Sequence, residues 1–115
     1  MRMKVNKISQ DERGQIYEIS FGDKRFLMIE TLADHSRGGD VHKHVRTHHM
    51  ISGLMEVRLI RDGKELVLTI KDGEKMIINP GEPHIFTALE NSLMIETQEG
   101  YPDSEYYPPY RSLVR

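Results

Sequence analysis

The 115-residue chain contains no cysteine. This absence excludes a disulfide framework, a zinc site built on thiolates and a thiol nucleophile. The chain also lacks a basic excess, because 16 lysine and arginine residues stand against 18 acidic residues and give a formal net charge of −2. A nucleic-acid-binding protein needs a basic surface for the phosphates, so we predict no nucleic-acid partner.

Long hydrophobic runs are missing too. No segment approaches the roughly 18 consecutive apolar residues that a membrane helix requires, so we predict no membrane partner. The start, MRMKVNKISQDERG, has no apolar stretch of the kind found in secretory signals. The lack of cysteine is compatible with the cytoplasm, which is the expected location. The length and the 30% of charged residues predict one globular domain over residues 1–115.

What the sequence has is an alternation of apolar and polar residues with a period of two, which is typical of half-buried β-strands. The segments MEVRLI (55–60) and ELVLTIK (65–71) both alternate in this way, and Asp62-Gly63 between them is a strong hairpin signal. Other strands are predicted at 15–19, 25–30, 75–78, 84–89 and 93–97. Eight or nine short strands at intervals of roughly ten residues predict an all-β sandwich or barrel.

Histidines are concentrated in the stretch GGDVHKHVRTHHMISG (38–53), which holds four of the six in the chain. They lie at positions 42, 44, 48 and 49. Alternate residues of a strand share one face. If residues 40–45 are extended, Asp40, His42 and His44 therefore point the same way.

The next predicted strand runs into Gly53. If the apolar residues of the following segment, Val57 and Leu59, face the core, we predict that His48 and Met50 face it as well. His49 is then predicted to point outward. Side chains that are opposite each other on neighbouring strands have Cβ atoms about 5 Å apart. The imidazoles predicted to point inward can therefore meet at one ion or one ligand.

A second candidate element lies far along the chain. In GEKMIINPGEPH (73–84), a lone histidine, His84, follows a Pro-Gly turn at the start of a predicted strand. On its own such a histidine is more often structural than functional. Beside the first cluster it becomes a candidate ligand of the same site.

These two stretches resemble the two motifs of the cupin superfamily. In the first motif a glycine is followed by a His-x-His pair and a closing glycine, and in the second a glycine is followed by a Pro-Gly turn and a histidine. The matching residues are Gly38-Gly39, His42-Lys43-His44, His48 and Gly53, then Gly73, Pro80-Gly81 and His84. The resemblance implies a cupin double-stranded β-helix, a jelly-roll barrel whose pocket holds a metal.

The resemblance leaves the ligand set open. The glutamate of the family's first motif falls, by its common spacing, on Arg46, and the same spacing makes Asp40 and His42 an alternative to the His-x-His pair. The site is therefore a set of four histidines (His42, His44, His48 and His84), a site that includes Asp40, or one that has been lost. The metal expected at histidine ligands is a divalent transition metal such as zinc, iron, nickel or manganese.

Within the superfamily, SRGGDVHKHVRTHH is similar to a stretch of the enzymes that act on nucleotide-linked sugars, the 3,4-ketoisomerases and relatives of the dTDP-4-dehydrorhamnose epimerases. In the ketoisomerases, first-motif histidines act as acid and base on a 4-keto sugar without a metal. By that likeness the acid/base role falls on His42, His44 or His48, and we predict His42 and His48 as catalytic residues. Such catalysis also needs a cationic group near the developing negative charge, Arg46 or Lys43, of which Arg46 is the predicted catalytic residue. The substrate contacts predicted with it are Lys43, Met50 and Phe86.

Three hypotheses for function follow, and they leave open whether the protein is an enzyme. The preferred one is a small metal-binding cupin whose His-lined pocket binds or converts a small carbohydrate-like molecule. The second is a metal-independent isomerase or epimerase of a dTDP-4-keto-6-deoxyhexose that uses histidine acid/base catalysis. The third is a non-catalytic module that binds or senses a small ligand.

The C-terminal extension, residues 100–115, is rich in tyrosine and proline. It is either disordered or packed, against its own domain or against a second subunit. Small open barrels leave edge strands that need covering. We therefore predict a homodimer in which the N-terminal strand or this extension supplies the cover.

Overall fold

The structure, a computed structural model, describes residues 2–98 and 103–115. Within these residues the chain forms eleven strands and one short helix. The elements are β1 (Met3–Asp11), β2 (Gly14–Phe21), β3 (Lys24–Thr31), β4 (Ser36–Val41), β5 (Arg46–Ser52), β6 (Leu54–Arg61), β7 (Lys64–Lys71), β8 (Lys75–Ile78), β9 (His84–Ala88), β10 (Ser92–Gln98), β11 (Glu105–Tyr106) and α1 (Pro108–Arg111). No helix in the described ranges is long and apolar enough to span a bilayer.

The strands form two antiparallel sheets, which confirms the predicted all-β jelly-roll architecture. Six strands pair in the order β1-β2-β3-β10-β5-β8 and five in the order β11-β4-β9-β6-β7. Apolar side chains from both sheets make one core. Its buried members are Ile29, Met50, Met55, Val57, Leu59, Ile70, Met76, Ile78, Phe86, Ala88 and Met94.

The β6–β7 hairpin forms where the alternation predicted it. Met55, Val57 and Leu59 are fully buried on one face of β6. Asp62 and Gly63 both have positive φ, 53° and 74°, as a two-residue turn between twisted strands requires. The same alternation is confirmed in the middle of β5, where His48 and Met50 are buried and His49 is exposed.

The predicted strand over 40–45 is only partly correct, because β4 ends at Val41 and residues 42–45 connect it to β5. β4 is also bulged, since its register against β9 shifts between Gly38 and Asp40. The bulge directs both Arg37 and Asp40, three residues apart, toward the same cavity. A side chain at Gly39 is excluded because its Cβ would lie 2.7 Å from the Cα of Arg111.

The predicted extension 100–115 begins among residues that the structure does not describe, 99–102. Its described part is packed: β11 pairs with β4, and α1 buries Tyr110 to 4% exposure. The Tyr110 hydroxyl donates a hydrogen bond to Glu65 Oε2 at 2.8 Å. For residues 103–115 the packed alternative is therefore confirmed and the disordered one is wrong.

Candidate metal centre and ligand cavity

Three side chains meet where β4 lies beside β9. Asp40 pairs with His84 across the two strands, and His42 follows directly after β4. Asp40 Oδ1 is 3.4 Å from His42 Nε2 and 3.3 Å from His84 Nε2. The three candidate ligand atoms all lie within 4.8 Å of one another.

Backbone carbonyl groups fix how the two imidazoles are oriented. His84 Nδ1 lies 3.0 Å from the carbonyl oxygen of Glu82, and His42 Nδ1 lies 2.9 Å from that of Asp103. A carbonyl oxygen only accepts, so each Nδ1 carries the hydrogen and donates it. Each Nε2 is then left with a lone pair directed at Asp40, the arrangement in which histidine binds a metal.

The electrostatics of the cluster follow from its burial. His84 is 2% exposed, and burial lowers its pKa to about 3, so the imidazole is neutral. Burial also disfavours the charged form of Asp40 and therefore raises its pKa. Asp40 Oδ1 has no hydrogen-bond partner in the described part of the chain. Three acceptor atoms therefore face one another with no hydrogen between them, and a cation or an added proton is needed to join them.

The donor set fits a divalent transition metal. Ligands held about 2.1 Å from a tetrahedral ion lie about 3.4 Å apart, close to the separations that Asp40 makes here. Two imidazoles and one carboxylate are a set found for zinc and for non-haem iron, and they leave coordination positions open for a substrate or water.

A second buried group lies beside the cluster. His48 Nε2 is 2.9 Å and Arg46 Nη1 is 3.2 Å from the same oxygen, Oε1 of Glu96. Burial alone would raise the pKa of Glu96, but the hydrogen bond and charge of His48, together with Arg46, outweigh it and lower that pKa to about 2. The His48 ring packs 4.4 Å from that of Phe86, and its Nδ1 has no hydrogen-bond partner among the described residues.

The structure brings three of the four histidines predicted as metal ligands close together. The ring centroid of His84 lies 5.0 Å from that of His42 and 6.3 Å from that of His48. The side chain of His44 is instead 41% exposed, with Nδ1 3.3 Å from Asp103 Oδ1. The strand ends before residue 44, so the alternation that predicted a shared face does not extend to it. Of the two ligand sets kept open above, the geometry favours the one that contains Asp40.

The other predicted site residues divide between the cavity and the core. Arg46, His48 and Phe86 line a cavity of about 300 Å³ that also contains the candidate metal centre. Met50 is instead in the hydrophobic core at 2% exposure. Lys43 lies outside this cavity and lines a larger, neighbouring groove beside His42.

Glu96 is a residue of this site that sequence reasoning missed although the alternation contained a signal for it. In LMIET (93–97) it has the same parity as Met94, which is buried in the core. A carboxylate at an inward position of a strand was therefore a signal available from the alternation alone. The motif spacing directed attention to position 46 instead, where an arginine stands.

Comparisons with known proteins find similarity in structure. No protein-family model and no curated protein sequence matches the chain. A structure of CapF with the inhibitor 3-isopropenyl-tropolone superposes with a TM-score of 0.73 at 18% identity, covering 91% of this chain and 34% of CapF. The capsular polysaccharide assembling protein CapF from Staphylococcus aureus gives a TM-score of 0.75 at 15% identity, covering 92% of this chain and 32% of that one.

A mutant of the oxalate decarboxylase OxdC from Bacillus subtilis is similar to the same extent. Its TM-score is 0.78 at 15% identity, and the superposition covers 89% of this chain and 30% of OxdC. This chain therefore spans about a third of the length of the proteins it matches. At such identities the likeness is one of fold.

Proposed function

Because this chain has the cupin fold, we propose that it is a small metal-binding cupin that holds a divalent transition metal on Asp40, His42 and His84. In this proposal the cavity binds or converts a small carbohydrate-like molecule, and the protein works in the cytoplasm. The observation that carries the metal site is the convergence of one Asp40 carboxylate oxygen with two imidazole Nε2 atoms, at 3.4 and 3.3 Å. The similarity in fold to CapF, a capsular polysaccharide assembling protein, supports a carbohydrate-like ligand.

The residues around the ion have separate roles in this proposal. The carbonyl groups of Glu82 and Asp103 hold the two imidazoles in the tautomer that binds a metal. Phe86 packs against both His48 and His84, so its ring keeps water from that side of the cluster. A bound ion would supply Lewis-acid polarisation of a ligand oxygen, or a site for dioxygen.

Metal analysis of protein purified without a histidine tag tests the proposal. We expect about one transition-metal ion per chain, as for a preformed site, and its loss in His42→Ala and His84→Ala. His49→Ala is the matched control, because His49 is exposed on β5 and is not part of the cluster. Protein that stays metal-free after incubation with zinc, cobalt and iron(II) would refute the metal site, as would loss of metal in the His49 variant alone.

The buried His48–Glu96 pair favours a second candidate, a metal-independent sugar isomerase or epimerase. The carboxylate holds His48 through Nε2, and Nδ1 has no partner in the described residues, so this ring nitrogen is available for proton transfer. In the same experiment, metal-free protein that converts a dTDP-4-keto-6-deoxyhexose supports this candidate. Metal-free protein that binds the sugar without converting it supports a non-catalytic binding module.

We also propose that the protein is a homodimer that associates through the β1–β2 hairpin. Among the described residues β1 forms one of the two edges of its sheet, and it exposes Met3, Val5 and Ile8, each more than half accessible. A long edge strand with exposed apolar side chains is a template for pairing with a second strand. In light scattering coupled to size exclusion we expect a particle of about twice the 13.4 kDa chain mass.

Val5→Lys is expected to shift this dimer to the monomer. Val67→Lys is the matched control, since Val67 has the same 51% exposure on the other sheet. A wild-type monomer, or an equal shift in both variants, would contradict the hairpin interface.

A further inference from the structure

The charge of the cavity is not balanced by the residues that line it. Four guanidinium groups but only two carboxylates line its walls. These side chains are Arg13, Arg37, Arg46 and Arg111, with Asp40 and Glu96. Among these lining residues positive charges exceed negative ones by two, and by one once Asp11, which pairs with Arg13 from outside the lining, is counted. The space they surround is about 300 Å³, at the small end of ligand-binding cavities.

Arg37 is the most informative of the four arginines. It is 6% exposed, donates from Nε to Thr31 Oγ1 at 3.3 Å and donates from Nη2 to the carbonyl oxygen of Glu30 at 2.7 Å. Both of these accepting atoms are uncharged, and the carboxylates of Asp11 and Glu30 act on Arg37 through their charge without a hydrogen bond to it among the described residues. Its Nη1 is buried and has no hydrogen-bond partner in the described ranges. A buried cation with a free donor is unfavourable unless something binds it, and burial correspondingly lowers the pKa of Arg37.

The other three arginines are already engaged. Arg13 binds Asp11 through Nε and Nη2, and Arg46 binds Glu96. Arg111 donates from Nη1 to the carbonyl oxygen of Gly38, and its guanidinium carbon lies 4.3 Å from the centre of the Tyr106 ring. Within the described residues, Arg37 is thus the cavity arginine that holds a buried, unused donor.

We infer that this cavity binds a small molecule through an oxyanion, a carboxylate or phosphoryl group, received by Nη1 of Arg37. Planar guanidinium donors match the geometry of such groups, and charge-assisted hydrogen bonds of this kind are the strong ones. Because of the β4 bulge, Arg37 and Asp40 line the same cavity. The rest of a ligand whose oxyanion is bound by Arg37 would therefore lie beside the candidate metal centre. The inference rests on the proposed function, since it names the chemical class of ligand for the same site.

Calorimetric titration of the full-length protein tests this inference. The probes are malonate, inorganic phosphate and the neutral isostere malonamide, each with metal-free and with zinc-loaded protein. We expect malonate, phosphate or both to bind, and malonamide to bind at least about 10-fold more weakly, as for loss of a hydrogen bond to a charged group. Binding of malonate alone identifies a carboxylate ligand, and binding of phosphate alone identifies a phosphoryl ligand.

Arg37→Gln removes the charge and is expected to weaken binding of the anion at least about 10-fold in protein that still binds zinc. Arg25→Gln is the matched control, because Arg25 is 46% exposed and pairs with Glu18 outside the cavity. Equal binding of malonate and malonamide to the wild type, no binding of either anion, or no effect of Arg37→Gln overturns the inference. If Arg37→Gln does not fold, the comparison of malonate with malonamide on the wild-type protein still tests the inference.

The two proposals fail in distinguishable ways. Protein that binds none of zinc, cobalt and iron(II) but binds an oxyanion in an Arg37-dependent manner refutes the metal site and supports the oxyanion site. Protein that binds zinc on Asp40, His42 and His84 but no oxyanion supports the metal site and refutes the oxyanion site.

Discussion

Replacing Glu96 by alanine is expected to lower the free energy of unfolding by about 3–5 kcal/mol, the range for removing one partner of a buried ion pair. Glu96 Oε1 accepts hydrogen bonds from both Arg46 and His48, and all three side chains are largely buried. Alanine would leave a guanidinium and an imidazole without their shared acceptor and open a cavity between them. Urea denaturation followed by circular dichroism measures the loss.

Two further variants separate this interaction from ordinary surface electrostatics. Glu96→Gln keeps the shape and one acceptor oxygen but removes the charge, so its destabilisation should lie between zero and that of alanine. Glu18→Ala breaks the exposed pair with Arg25 and should cost less than about 1 kcal/mol. If Glu96→Ala cost no more than Glu18→Ala, the buried pair would not be a structural element of the barrel.

The same contact gives the wild type a specific pH dependence. The pKa of Glu96 is lowered from 4.5 to about 2 in the folded protein, so the folded state holds this proton less tightly than the unfolded state does. Its contribution, about 3 kcal/mol from the size of that shift, is complete above about pH 4.5 and is lost as the pH falls toward 2. Glu96→Gln should therefore have a flatter stability profile than the wild type over that interval.

Strand alternation carried most of the fold prediction because it needs only local information. A side chain two residues further along a strand faces the same way, so the buried faces of β5 and β6 could be read from the sequence. The Asp62-Gly63 turn fixed the register between β6 and β7 for the same reason. The strand β1 was missed because its residues are nearly all exposed and its alternation has no buried face to mark it.

The candidate site was harder to predict because it depends on departures from alternation. The β4 bulge places Arg37 and Asp40 in one cavity, whereas strict alternation puts residues three apart on opposite faces. The end of β4 at Val41 removes His44 from the face that alternation assigned to it. The contact between Glu96 and His48 depends on which strands are neighbours, and β10 lies between β3 and β5 although it is distant from both in sequence.

Asp40→Asn is expected to weaken metal binding at least about 100-fold, since loss of a residue that only supports a ligand already costs 10- to 100-fold. In the metal-free protein the same change should raise the free energy of unfolding by about 1 kcal/mol, the value of one hydrogen bond. The asparagine amide would donate a hydrogen bond to the lone pair of an imidazole Nε2. The ionised Asp40 carboxylate has no hydrogen to donate, so it and that lone pair repel each other. The buried carboxylate, whose pKa burial raises, would also be gone.

Thermal denaturation without metal and zinc competition against a chromophoric chelator measure the two effects. Asp23→Asn, in the turn between β2 and β3, is the control that should change neither. A purely structural network would lose stability when Asp40 is altered, because its groups are arranged to satisfy one another. A metal site is arranged to satisfy an ion, so its apoprotein gains stability from the change that removes the ligand. If Asp40→Asn weakens metal binding and stabilises the metal-free protein, the cluster is a metal centre. If Asp40→Asn instead destabilises the metal-free protein, the cluster is a structural network.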